Sequence, residues 1–224
     1  AESWEWKDDT TLIFHLREGV KFNDGTELKA SDVLFSLKRT RDDKTPAAMQ
    51  VSEIDFDKSK VVDDYTLKLV TRSVYALQLP MLENPLCGII SQRAFTESKG
   101  DFFKAPIGTG PYKVVKFSSG DSLVLEGFKD YWIKGQPYVK NVIIRYITDA
   151  SARAIQAESG GADIVYEISA NDIDRIRANK NINLVSAMGA NTSYLTINQA
   201  IKPLDDKRVR EAIWYAVDIP KAIK

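Results

Sequence analysis

The sequence predicts a mixed α/β protein in which strands and helices succeed one another along the chain. Apolar residues alternate with polar ones in "TLIFHLREGVKF", residues 11–22, and this period of two is typical of a half-buried strand. In "SDVLFSLKRTRDD", residues 31–43, apolar residues recur at the three- and four-residue spacing of an amphipathic helix. Asp24-Gly25, a strong signal for a tight turn, lies between the two segments.

The first strand and the first helix are each expected to bury one face. Leu12, Phe14 and Leu16 share a face of the strand, because alternate side chains of a strand point the same way. Ser31 is predicted to cap the helix, since its hydroxyl can accept a hydrogen bond from a free N–H of the first turn.

A hairpin and a short helix are predicted next. The hairpin lies at 59–71, where "SKVVDDYTLKLVT" places Asp63-Asp64 between two strand-like runs. The helix is "SQRAFTESKG", with Ser91 as its cap and Gly100 as its end.

A second hairpin and a third strand follow. "YKVVKF" and "SLVLEGF" flank the turn signal "SSGD", so we predict antiparallel strands at 112–117 and 122–128. "YVKNVIIRYITD" at 138–149 is predicted to be a strand, with Ile143 and Ile144 in a nearly continuous apolar core.

The last third of the chain is predicted to alternate helices and strands. A helix capped by Asp149 or Ser151 and ended by Gly160-Gly161 would lie between two strands and complete a βαβ unit. A final helix is predicted to have Asp205 as its cap. The other elements are a buried strand at 162–168, a helix at 169–180 and strands at 182–187 and 192–198.

Composition argues against several classes of function. Lys plus Arg and Asp plus Glu both number 31, and the zero net charge argues against a surface for nucleic acid. One cysteine and one histidine exclude an intrachain disulfide and a zinc site of the usual Cys/His type. No apolar run approaches the roughly 20 residues of a membrane helix. The chain opens on "AESWEWKDD" without a visible signal peptide and ends on "DIPKAIK", so we expect a fragment.

No motif of catalysis or cofactor binding is visible. The sequence lacks G-x-S-x-G, S-x-x-K and H-E-x-x-H, and its paired carboxylates fall in turns or at helix starts. We therefore expect no catalytic residue, no metal and no cofactor. Some aromatic residues could stack on a ligand, although packing in a core or at a subdomain interface is the favoured interpretation. They are Trp4, Trp6, Tyr131, Trp132 and Tyr138.

The stretch "APIGTGPYKV" at 105–114 is predicted to be a structural junction rather than a phosphate cradle. It lacks the Gly-Lys-Ser/Thr of a P-loop and the third glycine of a dinucleotide fingerprint, and Pro111 removes a backbone donor. Gly108 and Gly110 are expected to adopt backbone angles closed to other residues. Thr109, between them, could contact solvent or ligand.

Six segments occur in an order that is more telling than any one of them. They are "SWEWKDDTTLIFHLREGVKFNDGTELKASDVLFSLKR", "VVDDYTLKL", "PIGTGPYKVVKF", "DYW", "SGGADIV" and "DDKRVREAIWYAVD". Together they resemble the extracellular solute-binding proteins of family 5, the oligopeptide, dipeptide and nickel receptors of ABC importers. The resemblance covers essentially the whole chain, and the first segment is its most specific part.

The resemblance implies a periplasmic-binding-protein-like fold of type II with an extra subdomain. Members of the family have two lobes joined by a hinge, and the ligand is buried when the lobes close. Residues 1–104 would match the extra β/α subdomain of lobe one, and residues 105–191 the main part of that lobe. Residues 192–224 would match a strand that crosses to lobe two and the truncated start of that lobe. The chain would therefore hold only part of lobe one.

The resemblance also implies a function. The chain would belong to the substrate-binding component of an ABC importer, periplasmic or extracellular, membrane-anchored if it is a lipoprotein, and it would bind without chemistry. Peptide is the default ligand on family frequency alone, since no arginine or histidine cluster suggests nickel or haem. The expected partner is an ABC permease in the cytoplasmic membrane, and we expect a monomer. The alternative is a ligand-sensing regulatory module on the same fold, which an upstream helix-turn-helix would favour.

Most ligand contacts of the family would lie outside this chain, which leaves three candidates. The predicted ligand-binding residues are Asn84 in the loop "ENPLC", Thr109 in the junction and Tyr194 on the crossing strand. The commoner roles are a turn residue before Pro85 for Asn84 and a packed strand aromatic for Tyr194.

Overall fold

Seven strands form two antiparallel sheets in the part of the chain that the structure describes. The structure is a computed structural model, and it describes residues 1–42, 46–187, 189, 194–218 and 221. The chain divides into two compact units, Ala1–Arg153 and Ala154–Lys224, and both sheets belong to the first. The strands are β1 Ser3–Asp8, β2 Thr11–His15, β3 Lys60–Asp63, β4 Thr66–Val70, β5 Tyr112–Ser118, β6 Ser122–Gly127 and β7 Asn141–Arg145.

Helices follow or separate these strands, which confirms the mixed α/β class. The α helices are α1 Ala30–Asp42, α2 Gln78–Leu82, α3 Gln92–Glu97, α4 Ala150–Ser159, α5 Ile173–Ala178 and α6 Lys207–Ala216. Short 3₁₀ helices cover Pro46–Val51, Pro85–Cys87, Phe102–Lys104 and Ala170–Asp172.

The first sheet has the order β1-β2-β4-β3 and carries the main hydrophobic core. Leu12 pairs with Leu69 and Phe14 with Leu67, so the alternating apolar residues of β2 and β4 share one face. This confirms the hairpin, whose turn lies at Asp64-Tyr65, one residue later than predicted. The strand predicted within residues 11–22 is shorter than its pattern, since β2 ends at His15. The buried residues of the cluster are Leu16, Ala30, Leu37, Val51, Ile54, Phe56, Leu67, Leu69 and Cys87.

Helix α1 packs against this core, but its start differs from the prediction. It begins at Ala30, so Ser31 lies inside the first turn and is not the cap. The Asp32 carboxylate instead accepts hydrogen bonds from the backbone N–H groups of Lys29 and Gln92, both at 3.0 Å. A carboxylate at this position can cap the helix by reaching back across its first turn. Asp32 thereby also joins the start of α1 to the start of α3.

Two caps that the sequence predicts are confirmed in the first unit. The Ser91 hydroxyl accepts from the Ala94 N–H at 3.2 Å and starts α3. The Asp149 carboxylate accepts from the Ala152 N–H at 2.7 Å and starts α4. Helix α3 ends at Glu97, three residues before Gly100.

The Asp24-Gly25 turn is present, and its glycine has the backbone conformation that glycine favours. Gly25 has φ +84°, and its N–H donates to the Phe22 carbonyl at 2.9 Å. The prediction for Gly108 and Gly110 is wrong, because neither lies at positive φ. Gly108 instead forms a β-bridge with Ile90, and a β-bridge uses extended backbone that any residue can adopt.

Replacing Gly25 with alanine is expected to destabilise the first unit by about 1–2 kcal/mol, because alanine is strained at positive φ. Gly110→Ala is the matched control: a Cβ built there meets no atom within 4 Å, and its φ is not positive. Urea unfolding read by amide exchange of β2 and β4 measures both. Equal costs for the two variants would contradict this account.

The second sheet has the order β5-β6-β7 and confirms the second predicted hairpin. The expected burial of β7 is wrong, because Ile143 and Ile144 are 66% and 41% exposed. A strand pattern of continuous apolar residues requires cover on both sheet faces. Within the described residues, β7 does not receive that cover.

The second unit keeps the predicted helices but not the predicted strands. Residues 162–168 form no strand, and Ile164 is 88% exposed, so the βαβ unit is not formed. Residues 182–187 and 194–198 are likewise outside any strand, while residues 192 and 193 of the predicted 192–198 strand lie outside the described residues. A strand needs a neighbour that pairs with its backbone N–H and C=O groups, and these segments have no strand partner among the described residues.

The last helix begins one residue later than expected. Asp206, not Asp205, is the cap of α6, and its carboxylate accepts from the Arg208 N–H at 2.9 Å. The predicted helix at 169–180 is present as the 3₁₀ turn Ala170–Asp172 followed by α5. Ile176 on α5 is fully buried.

Candidate functional site

A cavity of about 390 Å³ opens into the hydrophobic core of the first unit. Strands β2 and β4 and helix α1 supply an apolar wall, in which Phe14, Leu37 and Leu69 take part. Thr109 from the junction and Arg17 from the segment after β2 add polar groups. A mostly apolar cavity with few polar groups is the usual form of a small-molecule site.

Arg17 and Trp132 form one border of this cavity. The guanidinium carbon of Arg17 lies 4.3 Å from the centre of the Trp132 ring, a distance at which the cation and the ring face attract each other. Trp132 is one of the aromatic residues whose sequence context suggested stacking on a ligand or packing. In this structure it stacks on a cation and lines the cavity.

Thr109 is the predicted site residue that lies directly at the cavity. Its side chain is half-buried, and its hydroxyl has no hydrogen-bond partner among the residues that the structure describes. A hydroxyl in this state can donate or accept a hydrogen bond when a ligand enters.

Asn84 has a local structural role close to the same cavity. Its side-chain oxygen accepts from the Leu86 N–H at 3.0 Å and caps the turn Pro85–Cys87. That turn places Cys87 in the cavity wall, and Leu82 and Ile89 on either side of it also line the wall. The turn role of Asn84 is therefore confirmed, and its predicted ligand contact stays a prediction.

Tyr194, the third candidate, belongs to the second unit. Its side chain is 82% exposed, and the segment that carries it is not a strand. The packed-aromatic role is therefore wrong within the described residues, while its predicted ligand contact stays a prediction.

Cys87 offers a chemical probe of the cavity. Burial raises the pKa of its thiol, and the sulfur is largely covered. We expect it to react with a thiol reagent at least about tenfold more slowly in the folded protein than in urea. Burial limits the access of the reagent to the sulfur, and the raised pKa lowers the fraction of reactive thiolate. Colorimetric thiol titration with and without urea measures this, and equal rates would show that the cavity wall opens freely.

A polar network is centred on Tyr65. The Lys29 ammonium donates to the Tyr65 hydroxyl at 2.6 Å, and that hydroxyl donates to the Glu27 carboxylate at 2.5 Å. The hydrogen bond from Tyr65 and the contact with Lys29 hold the pKa of Glu27 below its usual value. The hydrogen bond to Tyr65, aided by the Glu27 and Asp64 carboxylates, raises the pKa of Lys29. Tyr65 and Arg17 also line a separate polar cavity of about 570 Å³.

Arg17 is a candidate site residue that the sequence did not indicate. Arg17 lies in "LREG" and Trp132 in "DYW", two segments that carry the family resemblance, but no sequence pattern shows that the two side chains meet. In the described residues, no group of three or more His, Cys, Asp or Glu side chains could hold a metal ion. A membrane-spanning helix needs about 20 mostly apolar residues, and none of the described helices meets that requirement.

The fold is that of periplasmic binding proteins. The chain superposes with a TM-score of 0.85 on the ABC transporter-associated periplasmic binding protein DppA of Helicobacter pylori, solved with the peptide STSA. The two are 28% identical, and the match covers 100% of this chain and 48% of that one. MoaA of A. tumefaciens R10, solved with mannopinic acid, gives a TM-score of 0.86 at 30% identity, over 99% of this chain and 45% of that one.

The chain belongs to the bacterial extracellular solute-binding proteins, family 5, whose middle-region profile matches residues 1–224. It is also 29% identical over 225 residues to the glutathione-binding protein GsiB of Escherichia coli K12. That match covers 100% of this chain and 44% of GsiB, so the chain spans less than half the length of this relative.

Proposed function

We propose that this chain is part of the solute-binding receptor of an ABC importer that takes up a small peptide or a similar solute. The observation that carries the proposal is the match to one family over the whole chain. The ligands named for the similar proteins are glutathione, the peptide STSA, mannopinic acid and a nickel complex of L-histidine, all of them small solutes. Among these, a peptide or a similar solute is the ligand that we propose, because peptide is the default ligand of the family. Its mechanism is binding without chemistry, with affinity coupled to lobe closure.

In this proposal the chain supplies much of lobe one and the start of lobe two. Residues 1–104 form the extra subdomain, 105–191 the main part of lobe one, and 192–224 the crossing segment and the start of lobe two. Within the first unit, Thr109 contacts the ligand at the cavity and Asn84 is a second ligand-binding residue beside the turn that it caps. Tyr194 is proposed separately as a ligand-binding residue of the second unit. The receptor acts as a monomer outside the cytoplasmic membrane, anchored there if it is a lipoprotein, and delivers its ligand to an ABC permease.

The proposal is tested on the full-length gene product that contains these residues. We expect native mass spectrometry of protein purified without denaturation to show a bound small molecule. Calorimetry with glutathione and with the peptide Ser-Thr-Ser-Ala then measures binding of two defined solutes. A protein that carries no solute and binds neither of these, nor any member of a mixed peptide pool, would contradict the function.

Thr109→Val is expected to weaken ligand binding about five- to tenfold, the effect of losing one hydrogen bond of roughly 1 kcal/mol. Thr109→Ser keeps the hydroxyl and is the matched control, with binding close to that of the wild type. Calorimetry on the full-length protein measures both variants. Unchanged binding by Thr109→Val would remove Thr109 from the site without affecting family membership.

A further inference from the structure

The Asp24-Gly25 turn is tied to the junction on both sides of Thr109. The Asn23 backbone N–H donates to the Gly108 carbonyl at 2.9 Å. The Asn23 side-chain amide donates to the Gly110 carbonyl at 3.1 Å. One residue of the turn therefore holds the carbonyl groups of the two glycines on either side of Thr109.

We propose that Asn23 is a positioning residue for ligand binding, which sets the backbone of Thr109 so that its side chain faces the cavity. The inference rests on the proposed function, in which Thr109 contacts the ligand. Asn23 is itself absent from the cavity wall, so it acts through the junction and not through a ligand contact.

The turn that carries Asn23 is attached to the hydrophobic core and to helix α3. Phe22 is fully buried, and its N–H donates to the Thr26 carbonyl at 2.7 Å. The Asp24 carboxylate accepts from the Thr26 N–H at 2.9 Å and pairs with the Arg93 guanidinium at 3.0 Å. Because the turn is tied to the core and to α3, its contacts with the junction fix the junction relative to the cavity wall.

The junction depends on Asn23 over a short length only. Outside residues 108–110, the Ser91 N–H donates to the Ile107 carbonyl at 3.1 Å, and the Phe128 N–H donates to the Pro111 carbonyl at 2.8 Å. These bonds hold the two ends of the junction independently of the Asn23 side chain. Loss of the Asn23 amide is therefore expected to free Thr109 and Gly110 while the fold around them stays in place.

Two variants separate the side-chain bond from the size of the residue. Asn23→Ala removes the donor, and Asn23→Asp keeps the shape but presents a carboxylate that cannot donate to the Gly110 carbonyl. Lys21→Gln is the control: it breaks the exposed 3.1 Å ion pair of Lys21 with Asp130 beside the same turn and leaves both junction bonds intact. Exposed ion pairs contribute little to stability.

The first arm of the test is methyl NMR of the full-length protein labelled at threonine. The Thr109 signal is assigned by its loss in Thr109→Val. We expect Asn23→Ala and Asn23→Asp to shift or broaden that signal, and Lys21→Gln to leave it unchanged. An unchanged Thr109 signal in both Asn23 variants overturns the inference, whether or not a ligand binds.

The second arm is a double-mutant cycle by calorimetry, with glutathione and Ser-Thr-Ser-Ala as probes. We expect Asn23→Ala to weaken binding about five- to tenfold in the wild type and to have little further effect in Thr109→Val, since the two residues act as one unit. Equal losses in both backgrounds overturn the inference. If neither probe binds the wild type, the proposed function fails for these solutes, and the Thr109 signal alone decides the role of Asn23.

Discussion

Replacing Leu67 with alanine is expected to destabilise the first unit by about 2–5 kcal/mol, the range for deleting a buried leucine side chain. Leu67 is 0% exposed, and it lies on β4 between β2 and β3, opposite Phe14 and Val61. Its side chain belongs to the core cluster together with Leu16 and Leu37. Because β4 is paired on both sides, we expect the variant to collapse only in part and to retain a cavity where the side chain was.

The matched control is Val62→Ala on the neighbouring strand β3, where the side chain is 53% exposed. It should change stability by no more than about 0.5 kcal/mol, as surface substitutions usually do. Amide exchange of β2 and β4 across a urea series reports this unit separately from the rest of the protein. A cost for Leu67→Ala as small as that of Val62→Ala would show that the core around β4 repacks.

Ser36→Ala is expected to reduce the free energy of unfolding by about 1–2 kcal/mol, because it leaves a partly buried backbone donor without a partner. Ser36 is fully buried on α1. Its hydroxyl donates to the Asp32 carbonyl at 2.7 Å and accepts from the Ile90 N–H at 3.0 Å. The bond to Ile90 joins α1 to the segment that pairs with Gly108, so its loss is also expected to loosen the junction.

Two measurements test this prediction: the free energy of unfolding in urea and the hydrogen-exchange rate of the Ile90 amide. Ser31→Ala on the same helix is the control, since Ser31 is exposed and is not the cap. We expect it to leave both measurements nearly unchanged. Faster exchange at Ile90 in Ser31→Ala, or protected exchange in Ser36→Ala, would argue against this role of the hydroxyl.

Local patterns predicted the elements whose partners are close in sequence. The period-two pattern of β2 and the turn signals of the two hairpins need only a neighbouring strand, and each strand pairs with one that is close in sequence. The caps at Ser91 and Asp149 depend on one side chain and an N–H three residues away. The cap of α1 escaped prediction because Asp32 acts from inside the first turn and also binds Gln92, which is distant in sequence.

The predicted strands of the second unit are not formed in the part of the chain that the structure describes, because they would need partners that are distant in sequence. "ADIVYEI" has an apolar composition suited to a buried strand, yet a strand forms only when another chain segment pairs with its backbone. Within the described residues that segment is absent, and Ile164 and Tyr166 remain exposed. Composition indicates what a segment can bury, but it does not supply the surface that buries it.

In the candidate site, too, some features follow from the local sequence and others depend on contacts between distant residues. The resemblance pointed to Asn84, Thr109 and Tyr194, and Thr109 does line a cavity. The contact between Arg17 and Trp132 and the two bonds from Asn23 join residues far apart in sequence, so no local pattern could reveal them. By itself the sequence determined the family, the class of fold and the elements formed by neighbouring residues. Only the tertiary structure decided which segments pair, which side chains meet at the cavity and which residue holds Thr109, because those contacts require the folded chain to bring distant residues together.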